Sequence, residues 1–100
     1  MAYNVIMASE WTVVLVGQAK KAKKNLPVNV WKTFLMLAFE LKQGPMKGKW
    51  PNFGPLWGQK GCYHCHLQKG RPTYVACWMS DKQERLIEVY YAGTHEKAPY

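Results

Sequence analysis

CYHCHLQKGRPTYVACWMSDKQERLIEVYY, residues 62–91, decides the fold. Three strand candidates follow in it in quick succession: Cys62 to Leu67, Thr73 to Met79 and Arg85 to Tyr91. The last two are rich in β-branched and aromatic residues, which fit a pleated, half-buried surface. Gln68-Lys69-Gly70 reads as a turn between the first two, and Ser80 to Glu84 as a polar turn between the last two. Connections this short favour antiparallel neighbours, so the stretch predicts a three-stranded meander.

Upstream the pattern changes period. Trp11 to Val16 (WTVVLV) predicts a strand ending at Gly17, and Gln18 to Asn25 (QAKKAKKN) a short exposed helix. Pro27 suits the first turn of the next helix, where its missing N–H costs nothing. From Val28 to Gln43 the repeat is helical: Val30, Phe34, Leu37 and Leu41 share one face, and Trp31, Leu35 and Ala38 widen it. Gly44-Pro45 ends that helix. Met46 to Gln59 predicts a structured loop, because Trp50, Phe53 and Trp57 call for burial. Residues 1–10 read as an N-terminal extension, with Met7 an alternative start, and residues 11–100 as one domain. The expected architecture is α+β: an N-terminal strand, two helices, then the antiparallel three-stranded meander, with the helices packed on one face of the sheet.

The chain has 100 residues, 48% of them hydrophobic and 14% aromatic, enough for one core and against disorder. Its formal net charge is +8. The excess is regional: from Lys20 to Arg71 the basic residues are Lys20, Lys21, Lys23, Lys24, Lys32, Lys42, Lys47, Lys49, Lys60, Lys69 and Arg71, against one acid, Glu40. A solvated lysine surface is the plain reading of such a bias. A polyanionic partner, nucleic acid first, explains its regional character. Cys62, Cys65 and Cys77 show no disulfide framework and predict reduced thiols in a cytoplasm. No stretch reads as a signal peptide or a bilayer span, so no membrane partner is expected.

Cys62-Tyr63-His64-Cys65-His66 places four metal-ligating residues within five positions. Along a strand side chains alternate, so Cys62, His64 and His66 share one face while Tyr63, Cys65 and Leu67 share the other. That split works against a zinc knuckle, and no metal is expected. Two readings stay open for His64 and His66: polar residues on a half-exposed face, or imidazoles lining a groove and exchanging protons near neutral pH. Lys60, Lys69 and Arg71 flank the strand. Arg71 suits bidentate phosphate binding. The segment from Tyr91 to Tyr100 adds His95, Glu96 and Tyr100, which either dock on the sheet as a structural tail or carry protons there.

This order of elements, with Leu26-Pro27 between the helices and a Gly93-Thr94-His95-Glu96…Tyr100 ending, resembles the RelE/ParE toxin superfamily, in particular its RelE/HigB-like branch. The resemblance spans residues 11 to 100. It implies a type II toxin that cleaves mRNA on the ribosome, without metal or cofactor, and that a cognate antitoxin silences. The ParE branch, which poisons a protein target such as gyrase, is the alternative, along with a non-catalytic RNA-binding module. The resemblance puts His95 where the family has a catalytic arginine and Tyr100 where it has a terminal tyrosine. Two departures stand out: Arg71 lies at the start of the second meander strand rather than within it, and His64 and His66 fall outside the common RelE set. The expected catalytic set is His64, His66, Arg71, His95, Glu96 and Tyr100, with Lys47, Lys49, Lys60 and Lys69 on the RNA.

Overall fold

The computed structural model describes residues 10–45 and 50–100. The expected extension therefore lies outside the described residues up to position 9, as do Lys47 and Lys49. The elements run β1 (Thr12–Leu15), a 3₁₀ turn (Gly17–Lys21) leading into α1 (Ala22–Asn25), α2 (Val28–Leu41), β2 (Gly54–Pro55), β3 (Cys62–Gln68), β4 (Tyr74–Asp81), β5 (Leu86–Thr94) and a final 3₁₀ turn (His95–Lys97). The strands form one sheet in the order β1-β5-β4-β3-β2.

The meander is antiparallel, as the short polar turns require. In the β4–β5 turn the Asp81 carboxylate accepts the Glu84 N–H at 3.1 Å, and Arg85 takes a positive φ of 50°. β1 joins the sheet beside β5 in parallel, with Thr12 opposite Leu86 and Leu15 opposite Val89. The intervening helices make that crossover possible. Beyond β1 the edge of β5 is finished by a side chain. Gln18 donates its amide N–H to the Ala92 carbonyl at 2.9 Å and accepts the Ala92 N–H at 2.8 Å, imitating a strand neighbour.

One face of the sheet carries the core. Val30, Phe34, Leu37 and Leu41 of α2, the four residues of its predicted inner face, are buried together with Cys65, Leu67, Ala76, Trp78, Ile87 and Val89. Trp78 is sealed in, stacked between Phe53 and Tyr63 at ring separations of 5.7 and 6.3 Å. Its indole N–H reaches the Pro45 carbonyl at 3.2 Å. Leu35, expected to widen the buried stripe, instead turns out to solvent at 47% exposure.

The loop before β3 divides. Trp50 and Phe53 pack against the core, as their size predicts. Trp57 does not: it is 98% exposed, overturning the expectation of burial. The two-residue β2 also escapes sequence reading, because Gly and Pro disfavour strands except at edges. Here Pro55 sits in the edge strand, opposite Tyr63.

Candidate functional site on the open face of the sheet

Alternation along β3 sends Tyr63, Cys65 and Leu67 to the core and leaves Cys62, His64 and His66 on the face opposite the helices. The two histidines are thus fixed on one side by backbone geometry, and the structure agrees with the sequence there. A second, smaller cluster covers part of this open face: Val75, Cys77 and Tyr91, with Tyr90 and Ala98 packed against them.

Both tyrosines reach that cluster through a bulge. Cys77 pairs with Tyr91 and Trp78 with Val89, so Tyr90 is an extra residue in β5. Strict alternation would have put Tyr90 and Tyr91 on opposite faces; the bulge turns both outward. Nothing in the local sequence marks it. Tyr91 donates its hydroxyl proton to the Thr94 carbonyl at 2.7 Å, which bends the chain at the end of β5. Gly93 leaves room for that contact: a Cβ there would lie 2.8 Å from the Tyr91 hydroxyl.

The final 3₁₀ turn then folds back over the sheet. The His95 N–H bonds the Thr73 carbonyl at 2.8 Å, and Ala98 closes the turn on the His95 carbonyl at 3.1 Å. Thr73 is itself fixed, its hydroxyl donating to the Gly70 carbonyl at 2.9 Å. The loop that carries Arg71 and the turn that carries His95 are therefore tied together.

The result is a continuous row of rings. His66 and His95 meet edge to face at 5.6 Å, His95 and Tyr100 at 5.8 Å, and Tyr100 lies 5.0 Å from His64. A groove of about 650 Å³ opens beside His66 and His95 and is walled by Arg71, Thr73 and Glu96. Four of the six expected catalytic residues thus share one row, and Arg71 and Glu96 stand on the groove wall. Lys69 lies near enough to act electrostatically on His66. Lys60 lines a different cleft, shared with Trp57.

Protonation states follow from the surroundings. His64 Nδ1 lies 3.1 Å from the Gly54 carbonyl, which can only accept, so Nδ1 carries the proton and Nε2 is the basic nitrogen. His66 Nδ1 is buried with no hydrogen-bond partner. Burial holds the His66 pKa below its ordinary 6.5, helped by His95, Lys69 and His64, so the doubly protonated ring is disfavoured. Burial likewise pushes the Tyr100 hydroxyl up to about 12, with Cys77, Cys65 and Tyr91 adding to the effect, so it stays a donor at neutral pH. The buried Tyr90 hydroxyl is also raised, chiefly by burial, with Cys77 and Cys62 adding to the effect.

Cys65 faces the core while Cys62 and Cys77 belong to the open side, and all three thiols are free. Burial pushes both Cys65 and Cys77 up to about 12, which leaves them protonated and poor nucleophiles. Among the described residues no three His, Cys, Asp or Glu side chains converge on a point that would hold a metal ion.

No protein-family model and no curated protein matches the sequence. The fold, in contrast, is shared with solved structures. It is similar to a chain of the archaeal RelE–RelB complex from Pyrococcus horikoshii OT3, with a TM-score of 0.70 at 19% identity over 89% of this chain and 99% of that one. A chain of the toxin–antitoxin complex RelBE2 from Mycobacterium tuberculosis gives a TM-score of 0.63 at 18% identity, over 86% and 99% of the two chains. At these identities the likeness establishes a RelE-like α+β fold, as the sequence resemblance implied.

Proposed function

We propose that this chain is the toxin of a toxin–antitoxin pair and that it cleaves mRNA, on the ribosome, without a metal. The carrying observation is the row His66–His95–Tyr100–His64 beside a groove walled by Arg71. Proton donors and acceptors lined up next to a guanidinium are what RNA transesterification asks for.

In this reading the RNA 2′-oxygen attacks the adjacent phosphorus and the bond from phosphorus to the 5′-oxygen breaks. The products are a 2′,3′-cyclic phosphate and a free 5′-hydroxyl. His66 takes the proton of the 2′-OH, because its surroundings lower its pKa and keep the ring neutral and free to accept one. His95, exposed beside His66, gives a proton to the departing 5′-oxygen. Tyr100 stays protonated and donates a hydrogen bond to the phosphoryl oxygen, where Arg71 offsets the developing charge. His64 is held by Gly54 and sets the position of Tyr100. Glu96 orients the His95 ring from the next position in the turn, and Lys69 holds the RNA strand near the groove. A set without a metal depends heavily on substrate positioning, which contributes about 7–11 kcal/mol in favourable cases and which the ribosome supplies.

The partner that silences it, by analogy with the RelE–RelB complex, is a cognate antitoxin. Its surface on this chain is the outer face of α2, where Leu35, Met36 and Phe39 are exposed beside β1. Exposed apolar groups collected in this way mark an interaction site.

The test is induced expression with mapping of mRNA 5′ ends. Wild type arrests growth and produces new, ribosome-phased ends. His66→Ala and His95→Ala each lower cleavage by about 10²–10⁴-fold, the usual worth of a general acid or base. Arrest without new ends would instead identify a poison of a protein target. Undiminished cleavage in both variants would remove this site from the chemistry.

A further inference from the structure

Trp57 is the residue that neither the core nor the histidine row uses. Its indole is 98% exposed, while Trp78 is fully buried and Trp50 packs on the core. It is not on a loose loop. Leu56, buried beside it, donates its N–H to the Cys62 carbonyl at 2.9 Å. Gln59 and Cys62 close the turn with bonds of 3.3 Å to Leu56 and 3.0 Å from Cys62 to Gln59. The backbone at Trp57 is tied at these points, and its large flat apolar ring is open to solvent.

Two clefts share that ring. One, about 340 Å³, runs from Trp57 past Gln59 to His64 and Tyr100. The other, about 470 Å³, shares Leu56, Trp57 and Gln59 with the first and reaches Lys60. Trp57 therefore borders both the cleft that reaches the ring row and the one that reaches a cation. Charge indicates what lies across it: the two clefts are lined by Lys60 and, among the described residues, by no Asp or Glu, although Lys60 also borders a third cleft with Asp81, Lys82 and Glu88. A flat aromatic surface beside a cation suits single-stranded nucleic acid, whose bases all offer a π-face and whose backbone is anionic.

We propose that Trp57 is a base-stacking platform for the nucleotide next to the scissile one, with Lys60 on the phosphate beyond it. This rests on the RNA-cleaving reading and extends it by a subsite. The stacked base holds the RNA across the 340 Å³ cleft, so that the neighbouring ribose reaches the histidine row. Recognition through stacking is tolerant of base identity, so this subsite supplies grip rather than sequence choice.

The test uses the full chain and an uncleavable probe, a 2′-O-methyl RNA 12-mer of mixed sequence, whose binding is read by fluorescence anisotropy at several salt concentrations. Trp57→Ala weakens binding by about 5- to 150-fold, the range found for losing one stacked base. Trp57→Phe retains most of the affinity. The salt slope is unchanged in Trp57→Ala and falls by about 0.7 in Lys60→Ala, as for one lost contact to a single strand. The probe quenches indole emission in wild type and much less in Trp57→Phe. Binding by Trp57→Ala within twofold of wild type overturns the proposal, and so does a wild type that does not bind the probe. Loss of antitoxin binding in Trp57→Ala, with probe binding intact, overturns it in favour of a protein contact. If Trp57→Ala is normal while His66→Ala abolishes cleavage, the platform fails and the nuclease reading stands. If stacking is confirmed and nothing is cut, the reverse holds.

Discussion

The residue that best joins fold to site is Gly93. Its φ is unremarkable, so conformational freedom is not the reason for glycine there; space is. A Cβ would sit 2.8 Å from the Tyr91 hydroxyl, 3.0 Å from the ring carbon that bears it and 3.3 Å from the Gln18 amide nitrogen. Tyr91 cannot easily yield, because its hydroxyl is bonded to the Thr94 carbonyl and its ring is buried. Gly93→Ala is therefore expected to destabilise the protein by about 1–3 kcal/mol, the range for overpacking a tight site. Urea denaturation checks the stability. The same substitution displaces the turn that carries His95, so cleavage should fall further than stability explains. A Gly93→Ala protein as stable as wild type would show that the Tyr91 contact yields freely.

Among the elements, α2 carries two opposite assignments. Its inner face, built from Val30, Phe34, Leu37 and Leu41, holds the sheet. Its outer face leaves Met36 62% and Phe39 68% exposed. A shallow groove of about 280 Å³ between Val13, Leu15, Leu35 and Phe39 continues that apolar surface onto β1. Nothing in the helix's own packing calls for apolar residues there, so a partner is the economical explanation. Leu35→Asp combined with Phe39→Asp should leave growth arrest intact but escape rescue by a co-expressed antitoxin. Rescue of the double variant at wild-type strength would place the antitoxin elsewhere. The opposite face of the sheet, with the ring row, is untouched by this change, which keeps arrest and rescue separable.

For the whole molecule, pH reports on the site. The His66 pKa is held below its ordinary 6.5, by burial first and then by His95, Lys69 and His64. Below pH 6.5 the unfolded chain binds a proton there that the folded chain refuses. Stability present above that pH is lost as the pH falls, and the loss is complete once the folded value is passed. The thermal midpoint of wild type should therefore drop on acidification from pH 7.5 towards the lowered His66 value, and that of His66→Gln should drop less. Equal slopes would mean that His66 titrates alike in both states. Cleavage on the ribosome should lose rate over the same interval, since a protonated His66 cannot accept the 2′-OH proton.

Much of this was legible in the sequence, for a local reason. A period of two in Cys62 to Leu67 puts His64 and His66 on one face, and a helical period picks out Val30, Phe34, Leu37 and Leu41, because backbone geometry sets both repeats residue by residue. Polar turns of a few residues likewise leave the meander little choice but antiparallel pairing. Other features depend on residues far apart in the chain. The clasp of Gln18 on Ala92 spans 74 positions, and the parallel seating of β1 against β5 crosses a similar distance. The bulge at Tyr90 arises in pairing with β4, and β2 exists only because β3 offers it an edge. Trp57 reads as a core residue by type, yet the tied turn around it faces outward. The sequence by itself thus determined the elements other than β2, the core-facing residues Val30, Phe34, Leu37 and Leu41 of α2 and the shared side of two histidines. Only the tertiary structure decided that His95 and Tyr100 join them, because that meeting rests on long-range hydrogen bonds and packing that no local pattern encodes.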